Sequence, residues 1–525
     1  MKKILLFAVV LVCQFVSAQI TLEHQYPQNL VNRIKLEQSG EKYHVLENTT
    51  GRLLLYNADH TLWKTVDLMI PNLNEFSYIS VAHVSEQLFN DNAAVEVAYS
   101  FNVSDESGSY RKSQIISESG VVLQSFLYAD GIFISELPNL QTKIFVYGSN
   151  GSVSIYDPNL LLQHTFEMIV GRSVLENSGE KYFMFDKSNE NLKLFNSDYT
   201  LWKTVSLPKP AGSAYSTIHF ISETAINADA QLEIGYDCFT GSNAESRIVN
   251  ENGDVLLSQN NIGLLSISKI DGLPTKLIAS GVLYTENYPQ VTNVYSLPSL
   301  TLEHHYDEWL NRIKLEIAGE KYYSVVAVNN AAKIYNADHT LWKTISSGFE
   351  EGRTATFITH ISQTIINDDD AVVVAIASEL TGVLEPYPQT RLVDENGVLL
   401  STMESVSGLY LSSIDGLVNK FIANGVMVGG QIFGQVYAVD VLNTKAFDRN
   451  AWTIYPNPAS DIVNFKNIRS NVAEARLFNM LGSLVYAETG IVEGFSVDNF
   501  PAGTYLLKLK TADGSTASRK IIVKR

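Results

Sequence analysis

The stretch LLLYNADHTLWKTV at residues 53–66 returns as LKLFNSDYTLWKTV at 192–205 and as AKIYNADHTLWKTI at 332–345. Its tryptophans, Trp63, Trp202 and Trp342, lie 139 and 140 residues apart. A fixed long period marks a repeat architecture, in which each unit hides its apolar faces against neighbouring copies.

Each copy predicts a β-hairpin. An apolar run ends at Tyr56, and Asn57, Ala58, Asp59 and His60 supply turn chemistry. Thr61, Trp63 and Thr65 then alternate with Leu62, Lys64 and Val66, the period of a strand. Asp59, Asp198 and Asp338 are expected to be turn aspartates rather than a thrice-used ligand or acid. Tyr199 stands where the other copies have His60 and His339, which argues against a shared catalytic histidine. Each tryptophan is expected to pack in the core or between repeats.

The likeness extends past the hairpin. Arg33-Ile34-Lys35-Leu36-Glu37 returns at 312–316 and, more loosely, at 172–176. Gly-Glu-Lys-Tyr appears at 40–43, 179–182 and 319–322. Glu118-Ser119-Gly120, Glu251-Asn252-Gly253 and Glu395-Asn396-Gly397 mark further hairpins, as do the Asp-Gly turns at 130–131, 271–272 and 415–416. A unit holds about twelve short strands and no competing amphipathic helix. Four strands per group, at about 47 residues per group, is the spacing of propeller blades. The repeat region thus resembles β-propeller repeats in general, without the terminal Trp-Asp pair of one propeller family. The expected fold is all-β: a β-propeller of about nine four-stranded blades, or seven or eight if strands are miscounted, plus a small C-terminal β-sandwich. The three units are expected at about 27–166, 167–306 and 307–447. ITLEHQY at 20–26 copies LLLQHTF at 160–166 and LTLEHHY at 300–306, strands that precede later units. The first strand is therefore expected to complete the last blade and leave few edges open. Residues 441–447 could fill the same place. Three β-sandwiches in a row are the alternative, weakened by the lack of Pro- or Gly-rich linkers.

The chain has 525 residues and a net charge of −18, which disfavours nucleic acid and an anionic membrane surface. Residues 1–18 read as a secretory leader, domain one: Lys2 and Lys3, an apolar stretch, then Val16-Ser17-Ala18. Cleavage between Ala18 and Gln19 is expected, with a lipid anchor at Cys13 as the alternative. No later stretch is long and apolar enough for a transmembrane helix. Cys13 leaves with the leader, so Cys238 remains alone, expected buried and inert.

Searches for chemistry find little. There is no Gly-x-Ser-x-Gly elbow, zinc-binding His-Glu-x-x-His, phosphate loop or dinucleotide fingerprint. Adjacent His304 and His305 point to opposite strand faces and cannot chelate one metal. Asn367-Asp368-Asp369-Asp370 aligns with Asn90-Asp91-Asn92 and Asn227-Ala228-Asp229. These segments lack the glycine and distal glutamate of a calcium loop, so tight turns are expected. No catalytic residue, cofactor or metal site is assigned. A carboxylate pair for glycoside hydrolysis stays open, although no pair stands out.

Around Trp452 the repeats stop. Tyr455-Pro456-Asn457-Pro458-Ala459-Ser460-Asp461 precedes a strand, Ala475 to Gly482 forms a second motif, and Phe500-Pro501-Ala502-Gly503-Thr504-Tyr505 leads into a third. In this order the motifs resemble the type A C-terminal sorting domain of the type IX secretion system of Bacteroidetes, covering 451–525. Pro456, Asn457, Pro458, Gly482 and Gly503 carry that resemblance. It implies export through the periplasm to the outer surface or the medium, with the secretion machinery as partner. The expectation for 19–450 is a monomeric, non-enzymatic binder of a glycan or surface protein. A polysaccharide hydrolase or lyase, with acids at the propeller centre, is the alternative. A structural surface component is a third possibility.

Overall fold

The computed structural model describes residues 20–439 and 453–524, apart from 72, 74–77, 90–93, 106–107, 228, 283–288, 367–369, 381–387, 428–429, 467–471, 480–483, 491–493 and 512–515. The chain divides into two compact units, Met1–Val439 and Asp440–Arg525. The leader with Ala18 and Gln19, the segment 441–447 and Gly482 lie outside the described residues.

The first unit is built from four-stranded antiparallel sheets. In sequence order they span 31–67, 79–127, 129–166, 170–206, 214–260, 264–306, 311–346 and 353–404. A further sheet combines the three strands within 410–439 with Ile20–Pro27. Ile20–Pro27 pairs antiparallel with Ile432–Val439, Ile20 opposite Val439 and Pro27 opposite Phe433. The first strand therefore covers the edge of the last sheet, as the repeated ITLEHQY motif suggests. Among the described residues the helical element is one 3₁₀ turn, Ala327–Asn329.

The sequence shows why these sheets stack. In Arg52–Asn57, Leu53 and Leu55 are buried against Val97, Tyr99 and Phe101 of the next sheet. Leu54 and Tyr56, on the opposite face, pack with Tyr43 of the same sheet and with Tyr26 and Val436 of the last sheet. A strand covered on both faces reads as a continuous apolar run rather than an alternating one. The same rule yields a core between each pair of neighbouring sheets from the first to the eighth. The eighth sheet meets the last through Thr359, which accepts the Leu409 N–H at 3.1 Å, and through the edge of His360 on Phe421.

The tripled hairpin is as expected. Asp59, Asp198 and Asp338 each accept the backbone N–H two residues on, at 3.0 Å. His60, Tyr199 and His339 follow at φ 65°, 68° and 67°, a left-handed position unusual for such side chains. Packing explains them. Their rings stack on His24, His164 and His304 of the preceding strand, at 4.7, 4.8 and 4.9 Å between centroids.

The second unit has a three-stranded and a four-stranded sheet. They share one core, with Val463 and Phe495 from the first and Leu477, Leu507, Leu509 and Ile521 from the second.

Candidate functional site: an aromatic cleft at the unrepeated end of the sheets

The repeated motifs gather at one end of the sheets, and their work there is structural. Arg33 is buried and donates to Glu41 at 2.8 Å, to the Ser412 carbonyl at 2.9 Å and to the Val418 carbonyl at 2.6 Å. Arg172 and Arg312 do the same with Glu180 and Glu320 and with carbonyls of the preceding sheet. One guanidinium thus fastens each unit to the one before it, and the first unit to the last sheet. A planar donor fork suits this bridging. Tyr43, Tyr182 and Tyr322 donate to the same glutamates.

Trp63 is half-buried and packs on the core between the first two sheets. Lys42 and Lys64 lie over its ring at 4.8 and 4.5 Å. Trp202 and Trp342 are flanked likewise, by Lys181 and Lys203 and by Lys321 and Lys343. Lys64, Lys203 and Lys343 then pair with Glu118, Glu251 and Glu395 of the next sheet. RIKLE, GEKY, LWKT and the recurrent glutamate are therefore one fastening, made three times.

The other end of the sheets differs from unit to unit. In the third unit Trp309, Tyr323 and Phe357 line a cleft of about 370 Å³ with Gln290, Asn311 and Thr356. Trp309 comes from the connection entering the seventh sheet, and Asn311 opens that sheet's first strand. Phe357 is 40% exposed, a large apolar side chain left in contact with solvent. No described residue engages the side-chain amides of Gln290 and Asn311. Two apolar residues, Val325 and Ile358, complete the lining, which contains no charged group among the described residues. The nearby carboxylate of Glu308 is already in use. It accepts from Tyr335 at 2.9 Å and also from Ser324 and Lys333. Burial pushes its carboxyl up, but those donors together hold it below the usual range.

Aromatic faces beside free amides suit a ligand with apolar CH faces and many hydroxyls. The sequence reading did not single out Trp309. The available signal was a difference between copies, since Ile169 and Leu30 stand at the corresponding places. A second cleft, of about 470 Å³, has similar chemistry: Phe126, Tyr128 and Tyr156 with Asn150, Ser152 and Ser154.

Other titratable groups are enclosed. His219 lies 3.5 Å from Asp237, and both are buried. His44 and His360 are pushed down to about 4 by burial. Glu233 is 0% exposed and lies beside the side chain of Asn227. Burial and then Asp229 push its carboxyl up to about 8, against the opposing influence of Asn227. His304 and His305 do face apart: one stacks on His339, the other bonds Asn293 at 2.6 Å. Cys238 is buried. Among the described residues no group of three or more His, Cys, Asp or Glu side chains is placed to hold a metal. Among the described residues no helix is long and apolar enough to cross a membrane.

In the second unit the motif residues are structural in a different way. Asn457 donates to the Lys520 carbonyl at 2.9 Å and accepts the Ile522 N–H at 2.9 Å, so its amide pairs like a strand residue with the last strand. Ala459, buried, continues that pairing with Ile522 and Lys524 at 2.8 Å. Pro456 and Pro458 flank Asn457. Gly503 opens the strand Gly503–Thr511, and the Tyr505 hydroxyl donates to the Pro501 carbonyl at 2.8 Å. Residues 453–524 match the family described as the secretion system C-terminal sorting domain. This segment is a type IX sorting domain. A chain with this sorting domain is secreted or displayed at the cell surface, and the domain engages the secretion machinery.

Among curated proteins, beta-agarase D of Zobellia galactanivorans is 31% identical over 70 residues, which is 13% of this chain and 14% of that protein's length. Among solved structures, BamB from Moraxella catarrhalis is 8% identical, covering 69% of this chain and 98% of its own, with a TM-score of 0.34. The V. cholerae biofilm matrix protein Bap1 is 12% identical, covering 78% and 76%, with a TM-score of 0.25.

Proposed function

We propose that this protein is a secreted, non-enzymatic binding protein that holds a neutral carbohydrate in the cleft around Trp309. In this reading residues 1–18 are a leader cut between Ala18 and Gln19. Residues 19–450 form a monomeric, nine-bladed β-propeller closed by its first strand, and 451–525 direct export. Sheets that pack in sequence order, with the last fastened to the first by Arg33, support the ring.

The observation that carries the binding reading is the cleft lining: three aromatic rings with Gln290, Asn311 and Thr356, and no carboxylate among the described residues. Glycoside hydrolysis needs two carboxyl groups flanking the scissile bond, one with a raised pKa. That requirement counts against the hydrolase reading at this cleft. A glycan array probed with the exported protein tests the proposal. Retention of neutral oligosaccharides, lost in Trp309→Ala, is the expected result. Release of reducing sugar from the same glycans would instead favour an enzyme. Deleting 453–524 should hold the protein in the periplasm, and its normal appearance outside the cell would contradict the export route.

A further inference from the structure

We propose that the cleft between the second and third sheets is a second binding site for neutral carbohydrate, so that the protein grips a glycan surface at two points. The inference rests on the reading of the Trp309 cleft. Both clefts lie at the unrepeated end of the sheets. This one is built from the connection entering the third sheet, 127–129, and the hairpin between that sheet's second and third strands, Lys143–Gly148 and Val153–Tyr156. Its volume is about 470 Å³. Phe126, Leu127 and Tyr128 form an apolar side, and Ser152, Ser154 and Tyr156, at alternate places along one segment, supply hydroxyls. Asn150 Oδ1 accepts the Ser152 N–H at 3.0 Å and the Ser152 hydroxyl at 2.7 Å, which leaves the amide NH2 as a donor without a partner among the described residues. The lining contains no charged group among the described residues. Aromatic faces beside hydroxyls and an amide suit the CH faces and hydroxyls of a neutral sugar.

The same place is filled in the other two units. By strand register, Gln259 and Met403 stand where the first unit has Phe126, Asn293 and Gln435 where it has Ser154, and Val291 and Phe433 where it has Ser152. In the second unit Asn293 donates to Gln259 across the gap at 3.0 Å, and in the third Met403 and Phe433 are buried. There the connecting segment also lies directly on the strand. A Cβ on Gly281 would be 2.0 Å from the Asn261 carbonyl oxygen, and one on Gly425 2.4 Å from that of Ser405. At the equivalent Gly148 the nearest atoms belong to the side chains of Asn150 and Ser152, both at 2.7 Å. Tyr128 is the independent sign. It has φ 54°, a left-handed conformation that its equivalents Asn261 and Ser405 share at 61° and 60°. Asparagine visits that region readily and a bulky aromatic does not. Yet Tyr128 is 56% exposed and rests on Tyr110, 4.9 Å between centroids, so no buried core requires the ring. The Ser149 N–H and hydroxyl donate to the Tyr128 carbonyl at 2.8 and 3.0 Å and hold the backbone in place. An exposed aromatic kept in a costly conformation is a platform for a ligand.

The test uses the full chain, with soluble neutral hexasaccharides of the glucan, xylan, mannan and galactan series for calorimetry and the same glycans immobilised for retention. Two equivalents per chain are expected for the series that binds, falling to one in Tyr128→Asn and to one in Trp309→Ala. Two sites on one chain reinforce each other on a surface, so retention should fall about 100-fold or more in either variant. Tyr128→Asn borrows the second unit's residue and suits the left-handed position, so its melting temperature should be unchanged or higher. Ser152→Val fills the cleft as Val291 does in the second unit and should also leave one equivalent. A single equivalent, lost in Trp309→Ala and untouched by Tyr128→Asn, would overturn this proposal and leave the Trp309 reading standing. A single equivalent lost only in Tyr128→Asn would keep this cleft and overturn the Trp309 reading. Binding to none of the four series would overturn both. A lower melting temperature in Tyr128→Asn would show a tyrosine kept for packing and would also overturn the proposal.

Discussion

The two ends of the sheets have evolved under different physical demands. At the end where the first and second strands turn, three units carry the same fastening: a buried arginine, a lysine-flanked tryptophan and a glutamate from the next sheet. At the other end, equivalent places hold Leu30, His44 and Ser80 in the first unit, Ile169, Phe183 and Thr217 in the second, and Trp309, Tyr323 and Phe357 in the third. The second unit shows what happens without the cleft. A Cβ on Gly171 would lie 2.2 Å from the Phe183 ring, so that ring already occupies the space. Geometry that every unit needs is repeated, and chemistry that one unit needs is not.

Breaking the repeated end should have the largest effect. Arg312→Ala leaves Glu320 and two carbonyls of the preceding sheet without their donor. Loss of one partner of a buried pair costs about 3–5 kcal/mol. Chemical denaturation of the full chain measures it, and a loss under about 1 kcal/mol would mean the units are not joined through this residue.

Acid should act next most strongly, through an unrepeated position. His44 and His360 stay neutral in the folded chain down to about 4, whereas in the unfolded chain they protonate near 6.5. Between those values the unfolded state binds more protons, so stability rises with pH and is fully present above about 6.5. Each histidine contributes up to about 3 kcal/mol across that window. Glu233, whose carboxyl burial raises to about 8, acts in the opposite sense, so the two histidines outweigh it only below about 6.5, and melting temperature should climb from pH 4.5 to about pH 6.5. His44→Phe, which takes the second unit's residue, should flatten the climb; an unchanged slope would show that His44 is not the group concerned.

Trp202→Ala sharpens the comparison from the repeated side. A fully buried tryptophan costs about 3–5 kcal/mol to truncate, and this half-buried one should cost about 2. Its two lysines would also lose the ring between them. An unchanged melting curve would remove the tryptophan from the fastening.

Much of the fold was legible because both the period and the strand pattern are local. Twelve strands per unit followed from turn residues such as Asp59 and Gly120, and the closing strand from the likeness of 20–26 to 300–306. The arginine fastening was half-visible: Arg33 and Glu41 recur, but their carbonyl partners Ser412 and Val418 belong to a distant segment and bond through backbone. The cleft was not legible, since Gln290, Asn311 and Phe357 meet only through folding and resemble nothing repeated.

The division between a holding end and a binding end is tested most directly by Trp309→Ala, with oligosaccharide binding and melting measured on the same preparation. Binding to neutral oligosaccharides weakened by about tenfold or more, with stability changed by less than about 1 kcal/mol, is the expected outcome. Full binding in the variant, or loss of binding only together with a collapse in melting temperature, would contradict it.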